Sequence, residues 1–203
     1  MLKDKPGGRS RPYDGTATMG VVLAAGRSRR FGAANKLLTS FHGAPIASYA
    51  AGAMRAAPFS QRLAVVSDPA VADLFEDFEI VEAPPGLPQS ESLHLGISNA
   101  IALGSERVVV ALADMPLVTA DLLAEIDRRS AIHGASASID GGRRSPPAGF
   151  SRRHFDTLLN TTGDRGAATL LRDLPPAALV DAAGRLADID TVADLVTLEA
   201  SRK

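Results

Sequence analysis

Gly20-Val21-Val22-Leu23-Ala24-Ala25-Gly26 is a short apolar run closed by a glycine. No polar residue alternates with its apolar ones, so it reads as a strand buried on both faces rather than one half-open to water. A second run of the same kind, Arg107-Val108-Val109-Val110-Ala111-Leu112-Ala113, stops at Asp114. Between the two, the pattern predicts a helix over 46–56 with Pro45 suited to its first turn. A strand over 62–67, a short helix over 69–75 and a third strand over 79–82 follow. A helix over 92–103 carries Leu93, Ile97, Ala100 and Ile101 at helical spacing. Thr119 is the expected N-cap of an amphipathic helix over 120–130, with Leu122, Leu123 and Ile126 on one side. Strand and helix alternating every 25–45 residues or so predict an α/β fold, a single-domain, doubly wound, mostly parallel sheet.

Past Gly134 the pattern shortens to ASASIDGGRRSPPAGF, read as a small antiparallel extension, then the loop Thr162-Gly163-Asp164-Arg165-Gly166. A last helix is expected over 192–200. Residues 1–18 are polar, Pro/Gly-rich and without periodicity, and are expected to form a flexible tail ahead of one domain over 19–203. No apolar segment follows the basic start, as a secretory signal requires.

Composition narrows the chemistry. The 203 residues include no cysteine, which excludes a disulfide scaffold, a thiolate zinc site and a cysteine nucleophile. Twenty-two basic against 23 acidic side chains give a net charge of −1, without the sequence-blind attraction that supports general nucleic-acid binding. No apolar run approaches the roughly 20 residues of a membrane helix. Neither nucleic acid nor membrane is an expected partner.

In open α/β sheets, ligands bind at the carboxyl ends of strands, near the point where strand order reverses. The first strand runs into Gly26-Arg27-Ser28-Arg29-Arg30-Phe31-Gly32-Ala33-Ala34-Asn35-Lys36. Small residues let the backbone approach a ligand and aim N–H groups at it, while three arginines and Lys36 supply positive charge. This describes a polyphosphate cradle, though neither a Walker A loop nor a GxGxxG turn. The alternative is a solvated Arg-rich turn. Asp114, at the tip of a buried strand, needs a partner to remain ionised. Opposite a phosphate loop that partner is Mg²⁺, a hard cation taking carboxylate and phosphate oxygens; the alternative is a helix cap.

Leu23-Ala24-Ala25-Gly26-Arg27-Ser28-Arg29-Arg30-Phe31-Gly32, followed by Asn35-Lys36-Leu37-Leu38, resembles the signature of the MobA-like nucleotidyltransferase family. Gln89-Ser90-Glu91-Ser92-Leu93-His94-Leu95-Gly96, Ala113-Asp114-Met115-Pro116, Gly163-Asp164-Arg165-Gly166 and Asp188-Ile189-Asp190-Thr191 continue the resemblance in family order. Ala-Ala-Gly in the first loop and Gln-Ser-Glu-Ser-Leu in the later one are similar to the molybdenum cofactor cytidylyltransferase branch, and point to CTP over GTP.

The resemblance implies a Rossmann-like nucleotidyltransferase fold and a cytoplasmic enzyme. Backbone groups of Leu23, Ala24, Ala25 and Gly26 would hold the base and ribose side of the nucleotide. Ser28, Arg30 and Lys36 would hold the triphosphate, and Ser92 would meet the pyrimidine or its phosphates. Asp114 would bind Mg²⁺, with Asp190, or less favourably Asp188, as the second metal-side carboxylate. The implied reaction transfers CMP from CTP to the terminal phosphate of molybdopterin, with Arg30, Lys36 and Asp114 as catalytic residues and a recipient molybdoenzyme as a further partner. Such a reaction needs no activated side chain, because a phosphate monoester with a second pKa of about 6 arrives largely ionised. Other readings are GTP or another phosphorylated acceptor, such as a sugar or isoprenoid precursor, and a non-catalytic cofactor carrier.

One departure concerns the acceptor. Where many family members carry Gly-His-Pro, this chain has Ser145-Pro146-Pro147. Arg143, Arg144, Arg152 and Arg153 read as solvated faces one by one, or together as a basic cluster beside the acceptor loop. His42, His94, His133 and His154 show no metal-ligand spacing; His42 and His133 suit a turn and a helix end, and His94 falls within the Gln-Ser-Glu-Ser-Leu-His helix start, with approach to a phosphate as its less favoured reading.

Overall fold

The structure is a computed structural model in which residues 18–26, 31, 35–160 and 168–200 are described. Strand β1 (Thr18–Ala24) is buried along its whole length. After it come β2 (Ser40–Phe41) and β3 (Ala44–Pro45), then α1 (Ile46–Ala56), β4 (Gln61–Val66) and α2 (Pro69–Ala72). The chain continues through β5 (Glu79–Glu82), α3 (Gln89–Ala102), β6 (Arg107–Leu112) and α4 (Ala120–His133). A hairpin of β7 (Ala135–Asp140) and β8 (Arg143–Ser151) leads to α5 (Phe155–Leu159), α6 (Ala168–Arg172), β9 (Leu179–Asp181) and α7 (Val192–Ala200).

Among the described residues these strands form a seven-stranded sheet in the order β5-β4-β1-β6-β8-β7-β9. β1 pairs in parallel with β4 and with β6, and β4 with β5. β8 runs against both β6 and β7, while β9 is parallel to β7. The expected doubly wound, mostly parallel α/β sheet is therefore present, with β8 as its antiparallel member. From β1 the chain winds outward through β4 to β5, then crosses back to β6 on the other side of β1. The order reverses between β1 and β6, which places the ligand crevice of this fold at their carboxyl ends.

Both faces of β1 are covered, as its unbroken apolar run requires. Val22 and Ala24 point into a core with Ala47, Ala50 and Met54 of α1 and Leu122, Leu123 and Ile126 of α4. Met19, Val21 and Leu23 face Leu93, Ile97 and Ala100 of α3, with Phe155 and Leu158 of α5 beyond. Burying each such Leu, Ile, Val, Met or Phe contributes about 1.5–3 kcal/mol. α3 approaches β1 closely at Gly96, where a Cβ would come within 2.9 Å of Val21 Cγ1.

A third, smaller cluster matters for function. Phe31, Phe41, Ile46, Leu117, Ile189 and Leu195 bring the start of α7 and the segment before it against the β2–β3 hairpin. That hairpin turns at His42 and Gly43, with φ of +45° and +89°, the paired positive values of a type I′ turn. Tyr49 Oη donates to the Phe41 carbonyl at 2.6 Å and ties the hairpin to α1.

Several boundaries differ from the sequence pattern. β1 begins at Thr18, which belongs to the sheet rather than to the expected tail. Its Oγ1 donates to Asp127 Oδ1 at 2.9 Å and its carbonyl accepts from Ser60 N–H. Pro45 precedes α1 as its cap and pairs with Ser40, so it stands just outside the first turn. α3 starts at Gln89, three residues early, because polar Gln89, Ser90 and Glu91 carry no periodicity although Pro88 opens the helix. α4 runs on to His133 and stops at Gly134, whose φ is +83°. The expected loop at 162–166 lies outside the described residues.

Candidate functional site

Lys36 is carried on a single 3₁₀ turn, Lys36–Leu38, directly after the phosphate-loop sequence. Asn35 caps this turn: its Oδ1 accepts from Leu37 N–H at 3.0 Å and its Nδ2 donates to Asp68 Oδ2 at 2.7 Å. Asp68 in turn caps α2 by accepting from Ala70 N–H. The lysine stem is thereby tied to the loop beyond β4, and its side chain is only 9% exposed.

Asp114 leaves the carboxyl end of β6. Ala113 N–H donates to the Leu23 carbonyl at 3.1 Å, which carries the β1–β6 pairing one step beyond the strand. Asp190 arrives from the far end of the chain, on the segment that the third cluster holds down. Lys36 Nζ donates to Asp114 Oδ2 at 2.8 Å and to Asp190 Oδ1 at 3.0 Å. Of the pair Asp188 and Asp190, Asp190 is the one that reaches the lysine. Burial opposes the Lys36 charge, but the two carboxylates outweigh it and hold its pKa above the ordinary value. Lys36 is an ammonium across the physiological range.

The residues fit a divalent cation. Among the described residues Asp114 Oδ1 is buried with no hydrogen-bond partner, and an uncompensated buried carboxylate oxygen is costly. It lies on the same carboxylate that pairs with Lys36, at the crevice where strand order reverses. Carboxylate oxygens are the donors that Mg²⁺ and similar hard cations take.

Asp190 is fixed from both sides. Ile189 is fully buried and its N–H donates to the Asp114 carbonyl at 3.1 Å. Asp194 Oδ2 accepts from Asp190 N–H at 3.1 Å, Thr191 N–H at 2.7 Å and Thr191 Oγ1 at 2.8 Å. Chiefly through the Thr191 hydroxyl and amide bonds, the Asp194 carboxyl titrates below the usual range.

The other expected site residues group around the end of β1. Leu23, Ala24 and Ala25 are buried, whereas Gly26 is exposed and a Cβ there would meet no atom of the described residues within 4 Å. Among the described residues, packing does not demand a glycine at that position. Ser92 is buried, and its hydroxyl donates to the Pro88 carbonyl at 3.3 Å. Ser28 and Arg30 lie outside the described residues.

Beside this crevice is a cavity of about 310 Å³, lined by Leu23, Ser90, Leu93, Leu112, Arg144 and Phe150 among others. Arg143 and Arg144, at the start of β8, also face it. Arg144 Nη1 donates to the Leu171 carbonyl at 2.9 Å and also to that of Arg172, anchoring α6 at the cavity edge. The expected four-arginine cluster is not formed. Arg152 and Arg153 follow the opposite end of β8, where Arg152 covers the Phe155 ring and Arg153 donates to the His133 carbonyl. Seven residues of extended strand, 145–151, separate the two pairs, so they serve opposite ends of β8. His42 and His133 sit in a turn and at a helix end, as expected. His94 lines a separate surface depression with Pro84, Leu87 and Glu91.

Asn35, Ile189 and Asp194 had no functional role in the sequence pattern. For Asp194 the signal was present in Thr191-Val192-Ala193-Asp194, the spacing of a capping box. For Ile189 nothing local distinguishes it from any apolar residue.

Residues 20–179 match the MobA-like NTP transferase domain. Purine catabolism protein PucB of Bacillus subtilis (strain 168) is 31% identical over 194 residues, covering 85% of this chain and 91% of PucB. The crystal structure of Rv0371c from Mycobacterium tuberculosis H37Rv has a TM-score of 0.78 at 25% identity, over 91% of this chain and 98% of that one. A structure of Rv0371c in complex with manganese shares the fold at a TM-score of 0.74 and 24% identity, over 92% and 100% of the two chains. The sheet order, the match along most of the length and the PucB relationship agree: the chain is a nucleotidyltransferase and belongs to the MobA-like NTP transferase family.

Proposed function

We propose that this chain transfers CMP from CTP to the terminal phosphate of molybdopterin, releasing pyrophosphate, with Mg²⁺ as the metal. The observation that carries the reading is the Lys36 bridge between Asp114 and Asp190 at the β1–β6 switch point, with no donor to Asp114 Oδ1 among the described residues. A charged lysine and a cation-ready carboxylate side by side suit a triphosphate rather than a neutral ligand. The base preference rests on Leu23-Ala24-Ala25-Gly26 and on Gln89-Ser90-Glu91-Ser92-Leu93.

In this reaction an oxygen of the acceptor phosphate attacks the α-phosphorus of CTP. The bond from that phosphorus to the bridging oxygen breaks, and pyrophosphate leaves with the electron pair. The protein's task is in-line positioning and neutralisation of charge on the departing group. The backbone of Leu23 to Gly26 holds the nucleoside. Ser28, Arg30 and Lys36 hold the phosphates, Lys36 giving up a carboxylate contact to reach them. Ser92, at the start of α3, meets the pyrimidine or its phosphates. Asp114 and Asp190 would hold Mg²⁺, which supplies Lewis-acid stabilisation of the phosphate oxygens. The Arg143 and Arg144 edge of the cavity suits the anionic end of the acceptor, while Leu23, Ser90 and Leu93 line its nucleoside side.

Pyrophosphate release, measured with each of the four nucleoside triphosphates with and without molybdopterin, tests the proposal. It expects release with CTP only when molybdopterin is present. Release with GTP, or with a sugar phosphate in place of molybdopterin, would move the assignment to another acceptor or base. Binding of CTP without any nucleotidylated product would make the chain a carrier instead.

A further inference from the structure

Asp190 sits on a stretch with no helix or strand of its own, residues 182–191 between β9 and α7. A carboxylate on such a stretch keeps its aim only if the backbone beside it is pinned. Ile189 does so on one side, through burial and its bond to the Asp114 carbonyl. On the other side the pin is Asp194, four residues on. Its Oδ2 takes the Asp190 amide as well as the Thr191 amide and hydroxyl, while its own N–H returns a bond to Thr191 Oγ1 at 3.1 Å. A helix cap needs the Thr191 bonds. The bond to Asp190 N–H adds nothing to the cap and instead fixes the peptide plane from which the Asp190 side chain departs.

We propose that Asp194 is a positioning residue for the reaction: it holds the Asp190 backbone so that the Asp190 carboxylate points at Lys36 and the cation. This rests on the assignment of Asp190 as the second cation-side carboxylate. The hydrogen bonds of Asp194 reach the chemistry through Asp190, and that dependence separates it from a residue that merely stabilises α7.

The test is Mn²⁺ binding to the full chain, followed by the electron paramagnetic resonance signal of free Mn²⁺ without nucleotide. The variants are Asp190→Asn, Asp194→Ala, the double variant and Thr191→Val. Groups that orient metal ligands typically cost about 10–100-fold in metal affinity when removed, and Asp194→Ala is expected at the lower end, about tenfold. Asp190→Asn is expected to lose at least as much. The double variant should bind within about twofold of Asp190→Asn, because a residue acting through Asp190 has nothing further to lose. Thr191→Val weakens the cap yet leaves the Asp190 bond, and should bind Mn²⁺ like the unaltered chain although its melting temperature falls. Unchanged affinity in Asp194→Ala, an additive loss in the double variant, or a loss in Thr191→Val equal to that of Asp194→Ala would each overturn the proposal while leaving Asp190 on the cation. Unchanged affinity in Asp190→Asn would overturn the cation role of Asp190 itself, and the proposal with it.

Discussion

The amide of Ile189 donates to the main-chain carbonyl of Asp114 at 3.1 Å. The two acidic segments that flank Lys36 are therefore joined through their backbones as well as through its ammonium. Asp114 serves twice, with its carboxylate toward the crevice and its carbonyl toward the segment that delivers Asp190.

Asp114→Asn keeps the shape of the side chain and its reach to Lys36, but removes the charge that a cation requires. Pyrophosphate release is expected to fall at least about 100-fold, the scale of losing one preorganised electrostatic group. The melting temperature should stay close to that of the unaltered chain. A rate within a fewfold of normal would remove Asp114 from the metal site.

Lys36→Met leaves Asp114 and Asp190 facing each other without their shared cation. Breaking a buried pair in this way costs roughly 3–5 kcal/mol, and about 2–3 kcal/mol is expected here because Asp190 is partly open to water. Adding Asp190→Asn should recover part of the loss, as read by urea unfolding. The raised Lys36 pKa sets the pH sense. The bridge contributes fully below the ordinary lysine value of 10.5 and is lost as pH climbs through the higher folded value.

Ile189→Ala opens a hole among Phe31, Phe41, Ile46, Leu117 and Leu195. Truncating a buried isoleucine costs about 2–5 kcal/mol. Because Asp190 is the next residue, the metal concentration for half-maximal activity should rise along with the loss of stability. Leu63→Ala, in the opposite core, should lower stability without that rise. Equal behaviour of the two variants would refute a specific role for the third cluster.

Acid weakens the fold through α4. Hydrogen bonds from Arg128 and then Arg129 lower the Glu125 pKa from 4.5 to about 2, and Arg55 lowers that of Asp77 in the same direction. A depressed folded pKa means stability that is complete above about pH 4.5 and is lost as pH falls toward 2. Melting temperature against pH should therefore decline through that window, and Glu125→Gln should flatten the decline. Both groups face water, so the effect is small and should shrink further in high salt.

How far these features could be seen in the chain itself depends on how local their causes are. The buried runs 20–25 and 107–112, the cap at Thr119 and the helix over 46–56 all follow from residues within a few positions of one another. Their alternation fixes a parallel, doubly wound sheet, and with it the crevice at the ends of β1 and β6. Lys36 and Asp114 stand out because each immediately follows such a strand or its loop. The short pieces β2, β3, β9, α5 and α6 stayed hidden, since two to five residues hold fewer than two repeats of a strand or helix pattern.

The arginines show the opposite limit. Arg143, Arg144, Arg152 and Arg153 are near in sequence, yet an extended strand sets the pairs at its two ends. Lys36 and Asp190 are 154 positions apart, and no local preference brings them together. Residue types and periodicities determined the sheet and nominated Asp114, while the family resemblance nominated Asp190 and Asp188. Only tertiary packing, through Ile189 in the third cluster and the Asp194 bonds, decided that Asp190 rather than Asp188 meets Lys36. Which side chain a structureless segment presents depends on where it is anchored, and the anchors come from elsewhere in the fold.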